Sequence, residues 1–240
     1  MKRYLVGLLF LVAACGLQAG GNDSIQSFGK AKKLLEREVY FDHRVTLYCD
    51  ADFDAYKNIT LPPGYQSDKY VSRSKRLEWE HVVPAENFGR IFAEWREGAV
   101  DCVTKKGEAF KGRRCATKAN ADYRLMQSDL YNLYPSIGSV NALRRNYNFA
   151  LQPTEESDFG VCDMRIENRK AHPPVEARGR IARTYLYMER AYPRYKMSNA
   201  QRKLMSAWDK QYPVSGWECR RAERIRAVQG NVNMVLAGRC

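Results

Sequence analysis

Six cysteines that follow an apolar N-terminal leader are the strongest constraint on the fold of this 240-residue chain. An even number of cysteines behind such a leader indicates disulfides that form outside the cytoplasm and tie distant segments together. Pairing neighbours along the chain is the simplest hypothesis among the many connectivities that six cysteines allow. It predicts Cys102–Cys115 and Cys219–Cys240, and it leaves Cys49–Cys162 as a long closure.

Residues 1–19 are typical of a secretory signal peptide. Two basic residues precede an apolar run from Leu5 to Ala14 that is too short to span a membrane. Cleavage before Gly20 is one route of processing, and a lipobox-like sequence that ends at Cys15 offers another, with a lipid anchor on that cysteine. No later segment is a long apolar run without charges, so we expect an exported protein, periplasmic or secreted, with no membrane span.

The net charge favours a polyanionic partner. It is +13 at pH 7, and it falls to +11 when the leader and its two basic residues are removed. A soluble protein this basic usually meets nucleic acid, an acidic polysaccharide or an anionic membrane. The basic residues are spread along the chain, which also fits a generic solubilising surface, so charge alone does not identify the partner.

The histidines and cysteines lack the spacing of a zinc site. The chain has no Cys-x-x-Cys, and its three histidines are scattered at His43, His81 and His172. Zinc sites need several such ligands at short, regular intervals. A zinc hydrolase is therefore disfavoured.

No repeat, low-complexity tract or Pro/Gly/Ser-rich linker divides residues 20–240, so we predict a single domain. Helical patterns outnumber strand patterns, which predicts a mixed α+β fold that is mostly α. The individual predictions are a helix over 24–40, strands over 45–49 and 77–83, a polar loop over 101–120 and a short helix over 137–145.

The C-terminal third is predicted to be helical. An apolar stripe from Ile181 to Tyr192 marks one helix, and such stripes belong to the core rather than to a site. Ser198 and Ser215 each begin a capping-box pattern in front of a further helix. The last of these helices is expected to close near Gly230.

A glutamate beside a histidine, shortly before a proline, is the strongest candidate for a chemical site. Phosphodiester hydrolysis needs an activated water, a cation on the phosphoryl oxygens and charge relief for the leaving oxygen. His81 is suited to be the base, and Glu80 is suited to hold a hard cation such as Mg²⁺. Adjacent side chains of a regular strand point to opposite faces, so both serve one site only if the backbone bends, which Pro84 favours.

The run Glu78–Ala85 (EWEHVVPA) resembles the signature of the endonuclease I family, exported bacterial nucleases with little sequence specificity. Further matches follow in the same order and cover nearly the whole chain after the leader. They include Asp129-Leu130-Tyr131-Asn132-Leu133, Ile137-Gly138-Ser139-Val140-Asn141, Asn146-Tyr147-Asn148-Phe149 and the run from Ala177 to Met188.

The resemblance implies a ββα-metal core with additional helices, in which a strand pair delivers the base and a short helix delivers a metal ligand. By matching motif, His81 is the general base, and Glu80 and Asn141 hold Mg²⁺. An arginine would hold the scissile phosphate, and of the adjacent pair Arg113 is favoured over Arg114.

Other basic residues are candidates for contacts to the nucleic-acid backbone. They are Arg114, Arg144, Arg178 and Arg183, and for Arg178 and Arg183 the alternative is a solvated arginine on a helix surface. The chain departs from the family pattern at Gln127, where other members often carry a glutamate.

Together these features predict an exported, metal-dependent endonuclease that acts on DNA, with RNA as a second candidate substrate, and that leaves 5′-phosphates. We expect it to be a monomer with Mg²⁺ as its cofactor. The rival interpretation is a non-catalytic cationic protein that binds DNA outside the cell. That protein would bind DNA without cleaving it and would not respond to a chelator.

Overall fold

The computed structural model describes residues 20–151 and 156–240. The predicted signal peptide, with Cys15, lies outside the described residues. The helices are α1 (Phe28–Leu34, continued by a π-helical segment, Leu35–Val39), α2 (Val71–Ser74), α3 (Ala85–Gly89), α4 (Ala93–Arg96), α5 (Arg113–Ala119), α6 (Ala121–Gln127), α7 (Gly138–Arg144), α8 (Val175–Ala191), α9 (Asn199–Gln211) and α10 (Gly216–Gln229), with a 3₁₀ turn over Leu130–Asn132. The strands are β1 (Asp52–Phe53), β2 (Ile59–Thr60), β3 (Leu77–His81), β4 (Leu133–Ile137), β5 (Asn148–Phe149), β6 (Arg165–Glu167) and β7 (Lys170–His172).

The strands form three small sheets among many helices. β1 pairs with β2, β3 pairs with β4, and β7 lies between β5 and β6. The architecture is therefore mixed α+β and mainly helical, as the sequence predicts. Within the described ranges, no helix combines the length and the apolar character needed to cross a bilayer.

The antiparallel pair β3–β4 leads directly into helix α7. Glu80 lies opposite Tyr134, and Leu77 lies opposite Ile137, so the end of β3 that carries His81 meets the start of β4. The turn from β4 into α7 is at Gly138, where a Cβ atom would lie 2.5 Å from the carbonyl oxygen of Arg73. Only glycine allows this close approach, so Gly138 fixes how α7 packs against the strand pair.

The C-terminal helices begin and end where the sequence predicts. The hydroxyls of Ser198 and Ser215 accept hydrogen bonds from the backbone N–H groups three residues ahead, each at 3.2 Å. Helix α10 ends at Gly230, which has a left-handed backbone (φ +95°) that favours glycine. Helix α8 buries ten residues and is a central element of the core.

Four predictions of local structure need correction. The segment 45–49 is not a strand, because Leu47 lies in a turn and donates its N–H to the carbonyl of Pro135 at 2.8 Å. The predicted loop over 101–120 contains helix α5. The helix expected over 24–40 begins only at Phe28, where the side chain of Ser27 caps it. The strand predicted over 77–83 ends at residue 81, and the sequence does not predict its partner β4, because Pro135 interrupts the strand pattern.

All three predicted disulfides are confirmed. Cys49–Cys162, Cys102–Cys115 and Cys219–Cys240 have Cα–Cα distances of 5.1, 5.4 and 5.5 Å. The first bridge joins residues 113 positions apart and ties the N-terminal segment to the region in front of β6. Closing a loop of this length lowers the conformational entropy of the unfolded chain, which stabilises the folded protein by about 4–5 kcal/mol.

Candidate active site

A cleft of about 290 Å³ opens at the end of the β3–β4 pair, next to α7. The four residues predicted to carry the chemistry, Glu80, His81, Arg113 and Asn141, all line it. They come from β3, the N-terminus of α5 and the first turns of α7. Glu80 and His81 are adjacent in sequence and both border this cleft, and the backbone bends directly after β3, at Val82 and Val83.

Glu80 is held rigidly at the floor of the cleft. It is 3% exposed, and its Oε1 accepts hydrogen bonds from the Tyr48 hydroxyl at 2.9 Å and from Nη1 of Arg144 at 2.7 Å. Burial raises the pKa of this carboxyl, and the positive charge of Arg144 opposes that shift. No described residue donates a hydrogen bond to Oε2 of Glu80. One oxygen therefore fixes the side chain, and the other is available as a ligand.

His81 has a defined tautomer. Its Nε2 lies 2.8 Å from the carbonyl oxygen of Gln127, which can only accept, so Nε2 carries the proton and Nδ1 is unprotonated. The ring packs between Phe28 and Phe88, with centroid distances of 5.0 and 6.1 Å. Burial and the nearby Arg113 lower the pKa of His81 to about 3. The imidazole is thus neutral and able to accept a proton at Nδ1.

Asn141 is oriented by a chain of hydrogen bonds. Its Nδ2 donates to Oε2 of Glu78 at 2.8 Å, and Glu78 is held in turn by two hydrogen bonds from Arg73 at 2.8 and 2.6 Å. Because the amide nitrogen is committed to Glu78, the amide oxygen is the atom left to act as a ligand. Among the described residues, nothing donates a hydrogen bond to that oxygen.

The two adjacent arginines of α5 have different environments. Arg113 lines the cleft, lies 5.4 Å from the Phe28 ring and donates from Nε to Oε1 of Gln127 at 3.4 Å. Arg114 instead lies over the Phe110 ring at 4.1 Å and is not part of the cleft wall. The positions fit Arg113, rather than Arg114, as a phosphate contact.

Comparison with known proteins identifies the family of this chain. The model of the family described as Endonuclease I matches residues 30–236. The chain belongs to the endonuclease I family. It is an exported endonuclease, as the sequence predicts.

Similar proteins extend over most of the chain. An extracellular deoxyribonuclease of Aeromonas hydrophila is 39% identical over 223 residues, which are 90% of this chain and 91% of that protein. A periplasmic deoxyribonuclease of the same organism is 37% identical, with 98% of this chain and 94% of that protein covered. Endonuclease-1 of Buchnera aphidicola subsp. Acyrthosiphon pisum (strain APS) is 33% identical, with 90% and 83% covered.

None of the four arginines expected to contact nucleic acid, Arg114, Arg144, Arg178 and Arg183, lines the cleft of this endonuclease. Arg144 is 0% exposed and forms an ion pair with Glu80, and Arg183 is 2% exposed and pairs with Glu218. Buried guanidinium groups do not reach a substrate, so the expectation for Arg144 and Arg183 is corrected. Arg178 lies outside the cleft and donates to the Tyr212 hydroxyl at 3.0 Å.

Other residues of the site were not singled out by the sequence. Tyr48 supports Glu80 from a turn, Arg145 and Asn146 line the cleft, and the side-chain oxygen of Gln127 contacts Arg113. Gln127 stood out in sequence only as a departure from the family pattern, and Tyr48 carried no local signal. In the described ranges no three His, Cys, Asp or Glu side chains gather into a metal-binding group. Glu80 and Asn141 border the cleft together with a second carboxylate, Glu86, to which Arg90 and Asn146 donate hydrogen bonds.

Proposed function

We propose that this endonuclease hydrolyses phosphodiester bonds of DNA at the Glu80–His81 cleft, with Mg²⁺ as its cofactor. The observation that carries the proposal is that Glu80, His81, Arg113 and Asn141 border one cleft although they come from three separate segments. The names of the deoxyribonuclease relatives support DNA as the substrate. The basic charge of the chain fits binding to the phosphate backbone without reading of the bases.

The donor set at the cleft fits Mg²⁺. Oε2 of Glu80 and the amide oxygen of Asn141 are hard oxygen ligands, and Mg²⁺ in proteins often has only one or two side-chain ligands and keeps several waters. Both side chains are fixed by hydrogen bonds through their other polar atoms. When bound, the ion would stabilise the negative charge that develops on the phosphoryl and leaving oxygens.

His81 is the proposed general base. Nδ1 accepts a proton from a water molecule that attacks phosphorus in line with the leaving 3′ oxygen, and the product carries a 5′-phosphate. The hydrogen bond from Nε2 to the carbonyl of Gln127 keeps the ring orientation constant while Nδ1 becomes protonated. Burial is the main cause that lowers the pKa of His81 and the charge of Arg113 is the second, and a negative phosphate in the cleft would offset the part due to Arg113.

Arg113 is the proposed contact to the scissile phosphate. Its guanidinium stands on the wall of the cleft and is oriented by the Phe28 ring and by Gln127. We further propose that β3, β4 and α7 form a ββα-metal core. In this arrangement the strand pair carries the base and one ligand, and the helix carries Asn141.

Plasmid digestion by wild type, His81→Ala and His43→Ala tests this function, each with Mg²⁺ and with EDTA. Loss of a positioned base costs about 10²–10⁴-fold in rate, so His81→Ala should cut far more slowly but still bind DNA. His43 lies outside the cleft against Trp217, and its replacement should leave the rate unchanged. Equal rates in all three proteins, or cleavage that persists in EDTA, would contradict the mechanism. Binding without any cleavage by wild type would favour the non-catalytic DNA-binding protein.

A further inference from the structure

A second polar cleft, of about 440 Å³, adjoins the first. Glu86 and Asn146 line both clefts, so the two openings are continuous along one face of the molecule. The wall of the second cleft includes Arg90, Arg169, Tyr195, Lys196, Ser198 and Gln201. None of these residues takes part in the chemistry proposed for the first cleft.

The charge of the second cleft is positive. Arg169 and Lys196 are exposed on its wall, and no described carboxylate forms an ion pair with either of them. The acid of the cleft is Glu86, and Arg90 and Asn146 both donate hydrogen bonds to it. An anion that enters therefore meets Arg169 and Lys196, neither in a close ion pair, and a neutralised carboxylate, although the charge of Lys196 also acts on Glu189 nearby.

A buried hydrogen-bond donor is a second, independent observation that indicates a ligand in this cleft. Gln201 lines the cleft and is only 8% exposed, yet its Nε2 has no hydrogen-bond partner. A buried amide nitrogen without a partner costs about 1–3 kcal/mol, so such groups usually serve a ligand or another purpose. The 13-residue helix α9 also begins at this cleft, with Ser198 as its cap, and helix N-termini attract anions.

We propose that the second cleft binds the phosphodiester that flanks the scissile bond on the substrate strand. The assignment rests on the function proposed for the first cleft. A strand held by Arg113 passes Asn146 and Glu86, and its next phosphate reaches Arg169, Lys196 and the amide of Gln201. This contact positions the strand without reading the bases, because phosphates are the same at every sequence.

The test measures DNA binding by fluorescence anisotropy in EDTA, with a short labelled duplex, as a function of salt. The variant is Arg169→Asn/Lys196→Ala. Asparagine suits position 169 because the backbone there is left-handed (φ +60°). The matched control is Lys203→Ala/Lys210→Ala, which removes two exposed charges from α9 outside both clefts. Each phosphate contact contributes about one unit to the slope of log affinity against log salt.

The cleft variant should lower that slope by about one unit and weaken binding, whereas the control should keep the wild-type slope. Equal slopes in the cleft variant and the control would overturn the proposal. Because binding is measured in EDTA, this result is independent of catalysis, and failure of the proposed nuclease mechanism appears separately in the His81→Ala digestion.

Gln201→Met keeps the size of the side chain and removes its donor. It should weaken duplex binding by about fivefold, the equivalent of one hydrogen bond, without lowering the melting temperature. A lower melting temperature with unchanged binding would mean that the amide is only structural, and it would overturn the role given to Gln201.

Discussion

Two buried glutamate–arginine pairs differ in how many of the carboxylate oxygens accept hydrogen bonds. In the helical scaffold, Glu218 accepts from Nε and Nη2 of Arg183 at 2.6 and 2.7 Å, so both of its oxygens are occupied. In the cleft, Glu80 accepts from Arg144 and Tyr48 through Oε1 alone. Both glutamates are 3% exposed, so burial does not distinguish them.

The difference separates a structural pair from a functional one. A buried carboxylate is costly unless its lone pairs are satisfied, and Glu218 meets this condition with its arginine. Glu80 leaves one oxygen facing a cleft, an arrangement that is unfavourable by itself and useful if a cation binds there. Arg144 also donates to the carbonyls of His81 and Val82, so it holds the backbone in place where β3 ends.

The largest expected effect is on the scaffold pair. Arg183→Met should lower the free energy of unfolding by about 3–5 kcal/mol, because Glu218 is left charged and unpaired in the interior. The catalytic rate of the folded fraction should stay at the wild-type value, since Arg183 lies outside the cleft. Urea unfolding with the disulfides intact, combined with plasmid digestion at low temperature, measures both quantities.

A double variant is the control for this prediction. Arg183→Met/Glu218→Gln removes both charges and should recover much of the lost stability. A loss of activity in the folded Arg183→Met protein would contradict the structural role of this pair.

The corresponding changes to Glu80 and Arg144 in the cleft should lower activity, whereas the changes to Arg183 and Glu218 should leave it unchanged. Glu80→Gln should lower the rate about 10²-fold, equivalent to about 2.7 kcal/mol, because a neutral amide is a poorer ligand than a carboxylate. Glu80→Gln/Arg144→Met should recover stability, as in the scaffold, but not activity. The measurement is kcat with saturating Mg²⁺ alongside urea unfolding. Near-wild-type kcat in Glu80→Gln would remove Glu80 from the mechanism.

This contrast also marks how far the sequence could predict the molecule. The caps at Ser198 and Ser215 depend on residues three positions apart, so a local pattern was sufficient to place α9 and α10. The roles of Glu80, His81 and Asn141 were proposed from one long motif and a family resemblance. The disulfide pairing could be predicted because pairing cysteines that are neighbours in sequence leaves only one long closure.

The partners of the two glutamates could not be predicted in this way. Arg144 and Arg183 both lie in helical segments, where an arginine is ordinarily solvated, and their partners are 64 and 35 residues away. Nothing local distinguishes a buried arginine from an exposed one, so the sequence makes both of them candidates for nucleic-acid contacts. The strand predicted over 45–49 is wrong because the partner of this segment is also distant in sequence. Its apolar residues pack in a turn against β4 rather than in a strand.

The smallest expected effect concerns the hydroxyl that supports Glu80. Tyr48→Phe removes one of the two donors to Oε1 and should lower kcat by about fivefold, the equivalent of one hydrogen bond, while the Mg²⁺ concentration for half-maximal activity rises. Tyr40→Phe is the matched control, because it deletes a buried hydroxyl that accepts from Nε of Arg221 at 2.7 Å in the scaffold. Both variants should lose similar stability, and only Tyr48→Phe should change the Mg²⁺ dependence. If both variants lost activity equally, the hydroxyl of Tyr48 would be no more than part of the core, and the distinction between the two carboxylates would rest on Arg144 alone.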